Sequence, residues 1–86
     1  MRVIYEVHAK VIDANGTYNN LTNYPAVFDS IHYDNDAEKT ERRANASYND
    51  ALSSMYRNDS RMLQVAFIIN INNGQEIAKT VIGVIE

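Results

Sequence analysis

Residues 61–86, RMLQVAFIININNGQEIAKTVIGVIE, decide how this chain folds. Two apolar runs flank Asn73-Gly74. A type I′ turn needs positive φ at both central positions, so this dipeptide is the strongest local signal for a two-residue hairpin. The turn sets the register. It places Leu63, Val65, Phe67 and Ile69 opposite Val84, Ile82, Thr80 and Ala78, a coherent core face. The reverse face pairs Met62 with Ile85, Ala66 with Val81, Ile68 with Lys79 and Asn70 with Ile77, and it too is mostly apolar. A three-residue turn with a bulge shifts the pairing by one and sets Lys79 on the Phe67 face, which counts against it.

Upstream of the hairpin, Asp34-Asn35-Asp36-Ala37-Glu38 carries the chemistry of a helix start. Asn35 is placed to cap the first amides, Glu38 follows three residues later as in a capping box, and Asp36 adds favourable charge. The helix is expected to run to about Arg57. Its apolar stripe is Ala37, Ala44, Tyr48, Ala51, Leu52 and Met55, and the alanines permit close approach to a sheet.

The N-terminal segment alternates. Val3, Tyr5, Val7, Ala9 and Val11 are apolar, whereas Arg2, Glu6, His8 and Lys10 occupy positions between them, the mark of a half-buried strand. Asn15-Gly16 then predicts a second tight hairpin, setting Val7 opposite Tyr24, Tyr5 opposite Ala26 and Val3 opposite Phe28. The returning arm is weakened by asparagines and by Pro25, which removes a ladder donor. Together these readings give a single α+β domain over residues 1–86: an antiparallel sheet of about four strands in β-β-α-β-β order, with one long helix on one face.

One helix covers one side of such a sheet. The uncovered side then presents Met62, Ala66, Ile68, Ile77, Val81 and Ile85 from the C-terminal hairpin, joined by Ile4 and Ile12 from the first strand, a patch larger than monomers usually expose. Self-association, as a homodimer, is the expected use of that patch.

Composition narrows the alternatives. The chain has 86 residues, 45% hydrophobic and 22% charged, with no cysteine and a net charge of -3. No disulfide or thiolate metal site is available, no run of about 18 apolar residues occurs, and Glu6, His8 and Lys10 interrupt the N-terminus where a signal peptide would be apolar. A cytoplasmic protein is expected, and the four Asn-x-Ser/Thr matches at Asn15, Asn20, Asn45 and Asn58 are read as chance. The asparagine and isoleucine content suits an AT-rich genome, such as that of a low-GC bacterium or its phage.

Catalysis finds little support. With two histidines, no cysteine and no strained serine elbow, no nucleophilic triad assembles. The three glycines are isolated, so no phosphate-cradling loop is present. His32, Asp34, Asp36 and Glu38 resemble the opening of a calcium loop, but Lys39 stands where its glycine belongs and Asn45 where its glutamate belongs. No metal or cofactor is expected.

Two other sets of residues carry binding chemistry. Lys39, Arg42, Arg43, Arg57 and Arg61 form a basic set suited to nucleic acid, although the acidic net charge opposes it. Asp29, Asp34, Asp36, Glu38 and Glu41 form an acidic set that could imitate phosphates in an inhibitor of a host macromolecule, interrupted by the same basic residues.

Overall fold

The computed structural model describes residues 2–13, 15–58 and 62–83. Arg61, Val84 and Ile85 lie outside them. The elements are β1 (Ile4–Ile12), β2 (Tyr18–Asn20), β3 (Ala26–Asp29), a 3-10 turn (Ser30–His32), α1 (Ala37–Tyr56), β4 (Leu63–Asn70) and β5 (Gln75–Ile82). The α+β architecture is the expected one, an antiparallel sheet with the helix packed against it. The sheet has five strands because the returning arm of the first hairpin is in two pieces, β2 and β3, both paired with β1 on the edge opposite β4.

The break lies at a turn in which the Tyr24 amide donates to the Leu21 carbonyl and Asn23 adopts φ 75°, followed by Pro25, which has no amide to give the ladder. The first turn is longer than the Asn15-Gly16 reading required: Asp13 accepts the Gly16 amide through its carbonyl and the Asn15 and Thr17 amides through its carboxylate. This sets Lys10 opposite Asn20, and after the interruption at Leu21–Pro25 the pairing resumes with Tyr5 opposite Phe28 and Val7 opposite Ala26. The aromatic partner of Tyr5 is therefore Phe28, and Tyr24 instead donates its hydroxyl to the Ser47 carbonyl of α1 at 2.9 Å.

The face covered by the helix is not the one assigned from the C-terminal hairpin. β1 pairs with β4 so that Val7 meets Ile68, Ala9 meets Ala66 and Val11 meets Gln64. Opposed residues share a face, so the apolar side of β1 carries Gln64, Ala66 and Ile68 with it beneath α1. All three are fully buried, as are Val7, Ala9, Ala44, Ala51 and Met55. Ala66 and Ile68 thus belong to the core, not to an exposed patch. Leu63, Val65, Phe67 and Ile69 lie on the reverse.

Gln64 is the polar member of this buried face. Its side chain amide donates to the Met55 carbonyl at 3.1 Å, beside the Asn58 backbone amide, and its Oε1 accepts from the Asn58 side chain at 2.8 Å, so it binds the C-terminal end of α1. A glutamine on the core face is tolerated because both ends are hydrogen-bonded. Thr80 is accommodated similarly by a hydroxyl–hydroxyl bond with Tyr48.

The β4–β5 register follows from a four-residue turn, Ile71–Gly74, rather than the two-residue turn expected. Asparagine side chains build it. Asn70 Oδ1 accepts the Asn72 amide, Asn73 Oδ1 accepts the Gln75 amide, and Gly74 at φ 72° donates to the Asn70 carbonyl. Asn72 Oδ1 also accepts the Ile4 amide, tying the turn to the start of β1. Val65 therefore pairs with Val81 and Phe67 with Lys79, and a bulge between Ile68 and Ile69 accommodates Ile77. Lys79 does lie on the Phe67 face, at little cost because that face is open.

The helix begins one residue later than the Asn35 cap implied. Asp36 is the cap, its carboxylate accepting from the Glu38 and Lys39 amides, while Asn35 takes a left-handed conformation. The buried stripe is Thr40, Ala44, Tyr48, Ala51 and Met55. Ala37 is exposed, and Thr40 is buried with its hydroxyl on the Asp36 carbonyl.

Gly83 closes the far end of the hairpin at φ +117°, where a Cβ would stand 2.2 Å from the Met62 carbonyl oxygen. Gly83→Ala is expected to destabilise the fold by at least about 2 kcal/mol. Gly74→Ala, left-handed but facing open space, should cost nearer 1 kcal/mol. Urea denaturation of the two variants checks the order.

Candidate functional site

The open face is built in rows. Ile12 stands beside Leu63; Lys10, Val65 and Val81 form the next row across β1, β4 and β5, followed by His8, Phe67 and Lys79, and then by Glu6, Ile69 and Glu76. On the outer edge, Val27 flanks Glu6 and Tyr18 flanks Ile12. An apolar stripe along β4 is thus bordered by ionisable residues from β1 and β5. Val81, Val27 and Tyr18 are 52%, 59% and 63% exposed. A depression of about 300 Å³ lies over Leu63, Val65, Phe67 and Val81, rimmed by Lys10, Glu76 and Lys79.

His8 sits at the centre. Its ring stacks on Phe67 at 4.7 Å between centroids and 9° between planes, and its Nε2 lies 2.8 Å from Glu6 Oε1. The other ring nitrogen, Nδ1, is buried and has no hydrogen-bond partner among the described residues. Phe67 and Glu6 therefore fix the imidazole as part of the surface.

Of the residues expected to form the patch, Ile12 and Val81 are on this open face, Ile4 begins its β1 edge, and Ile77 sits at the bulge, 37% exposed. Ala66 and Ile68 are beneath the helix, Met62 precedes β4 and is half-buried, and Ile85 lies outside the described residues. Leu63, Val65, Phe67 and Ile69 were missed as surface residues. Their signal was available in β1: its polar positions Glu6, His8 and Lys10 must look away from the core, and whatever pairs with them looks the same way.

The acidic set is largely occupied within the fold. Asp29 binds the Arg2 guanidinium and caps the 3-10 turn, and Arg2 holds its carboxyl below the usual carboxylate range. Lys39 lowers Asp34 likewise through a 2.7 Å bond. Asp36 caps α1, and Glu41 is half-buried, its charge adding to the burial that pushes the Tyr5 phenol up. These duties give little support to phosphate imitation.

The basic set divides. Lys39, Arg42 and Arg43 line one depression with His32, Tyr33 and Asp34, whereas Arg57 caps the far end of the helix and Arg61 lies outside the described residues. Among the described residues no group of three or more His, Asp or Glu side chains is placed to hold a metal, and no helix is long and apolar enough to cross a membrane. No protein-family model, curated protein or solved structure matches the chain.

The two faces should respond differently to truncation. Ile68→Ala removes a fully buried side chain and is expected to cost about 2–5 kcal/mol. Val81→Ala, on the open face, should stay within about 0.5 kcal/mol at concentrations where the chain is monomeric. Chemical denaturation of the dilute variants measures both.

Proposed function

We propose that this chain is a non-enzymatic, cytoplasmic interaction domain that associates in two-fold pairs through the open face of its sheet. The apolar stripe of Leu63, Val65, Phe67 and Ile69 with the exposed Val81 supports an interface, since the helix covers only the other side. Burying such a stripe against a second sheet, about 10 Å away, removes apolar area from water on both partners.

The charge order favours a second copy as the occupant. Along β1 the open face reads Glu6, His8, Lys10. A two-fold axis lying in the interface, perpendicular to β1 and passing over His8, reverses the strand direction and places Lys10 against the partner's Glu6. The reciprocal contact follows by symmetry. The charge order along β1 is thus complementary to itself, and Lys79, in the row of His8, meets its own copy near the outer edge, where water screens the pair. Pairing through the free edge of β5 has less support, because Lys79 and the bulge at Ile68 and Ile69 are devices that discourage edge-to-edge addition.

Sedimentation velocity tests this reading. The unmutated chain is expected at twice the monomer mass, and Val81→Asp at monomer mass with its helix content intact. Lys10→Glu should weaken pairing about tenfold, or about 1.4 kcal/mol, and Glu6→Lys combined with Lys10→Glu should restore it. Monomer mass for the unmutated chain at high concentration, or no effect of Val81→Asp, would contradict the proposal.

A further inference from the structure

We propose that the depression between the 3-10 turn and the first half of α1 binds a phosphate monoester. Its volume of about 520 Å³ falls within the range of small-molecule sites, and it is lined by His32, Tyr33, Asp34, Lys39, Arg42 and Arg43. Three permanent cations face a single carboxylate there, in a chain whose net charge is -3. Neither Arg42 nor Arg43 has a carboxylate within ion-pair distance among the described residues. Local positive charge in excess, gathered in a concavity, suits a dianion.

The walls are held in place by the chain itself. Ser30 is fully buried, accepts the Val3 amide through its hydroxyl and the Tyr33 and Asn35 amides through its carbonyl. Asp34 and Asn35 both adopt left-handed φ, 60° and 53°, which folds the segment back onto the helix. Tyr33 is fixed between Phe28, at 6.4 Å, and the Arg43 guanidinium, 5.8 Å from its ring centroid. Arg43 is thereby positioned before any ligand arrives. Lys39 is held by Asp34 in an exposed ion pair, a weak interaction for which a dianion competes. Because Asp36 already satisfies the first helix amides, the site is one of side chains: two guanidinium forks that bind phosphate oxygens in pairs, and one ammonium.

The extent of the basic group sets the ligand class. Arg57 is roughly 22 Å along the helix from Arg42, at a rise of 1.5 Å per residue, with Asp50 between them. No continuous basic track runs from one to the other. One phosphate group with a small organic substituent matches the depression, whereas a nucleic-acid backbone needs successive phosphate contacts. The site is on the helix side of the sheet and does not depend on pairing through the open face.

Heteronuclear NMR titration of the full chain with inorganic phosphate and with phenyl phosphate tests the assignment, against sodium chloride at equal ionic strength. Saturable shifts confined to residues 32–43 are expected, with phenyl phosphate binding at least as tightly as phosphate. Arg42→Gln and Arg43→Gln, exposed changes that should leave the circular dichroism unchanged, are each expected to weaken binding about tenfold, and Lys10→Gln not at all. Shifts matched by chloride, affinity unaffected by the arginine variants, or exclusion of phenyl phosphate would overturn the proposal. So would tighter binding of a single-stranded oligonucleotide that depends on Arg57.

Discussion

The antiparallel pairing of β4 with β1 is the constraint on which the rest of the molecule depends. β1 is the strand with the sharply two-sided character: Tyr5, Val7 and Ala9 on one side, Glu6, His8 and Lys10 on the other. Charged side chains cannot be buried unpaired under a helix, so β1 has one permissible orientation. β4, apolar on both sides, has no such preference and takes its facing from its neighbour. Ile68 beside Val7 and Ala66 beside Ala9 form the floor on which the small residues Ala44 and Ala51 bring α1 down. Everything displayed on the reverse is a consequence of that pairing.

This division gives the molecule two working surfaces with different chemistry. The open sheet face combines an apolar stripe with a charge order along β1 that is complementary to itself, a suitable arrangement for association. The helix-start depression combines guanidinium groups with an aromatic wall, suitable for an anion. They lie on opposite sides of the sheet and draw on different residues, so binding at one leaves the other accessible.

Much of the fold was legible in the sequence. The alternation of β1, the long helix and the C-terminal hairpin were each marked by periodicity and turn chemistry. Register was not, because asparagine has two uses in this chain. Asn73-Gly74 resembles a two-residue turn, but Asn70, Asn72 and Asn73 accept backbone amides and so stabilise a longer one. Shifting the pairing by one residue reverses the facing of every side chain that follows. Weighing Lys79 against the Phe67 face assumed that this face is buried, and the structure leaves it open. Of the expected patch, Ile12 and Val81 lie on the open face, whereas Ala66 and Ile68 lie beneath the helix. The convergence of His32 and Tyr33 with Lys39, Arg42 and Arg43 depends on two left-handed residues and had no periodic signal to reveal it.

The most direct test of the account is which β4 side chains the helix touches. In methyl and aromatic nuclear Overhauser spectra, side chains of Ala44, Tyr48, Ala51 and Met55 are predicted to give cross-peaks to Ala66 and Ile68 and none to Val65 or Phe67. Cross-peaks from those helix residues to Val65 and Phe67 instead would contradict it, and with it the identity of the open face.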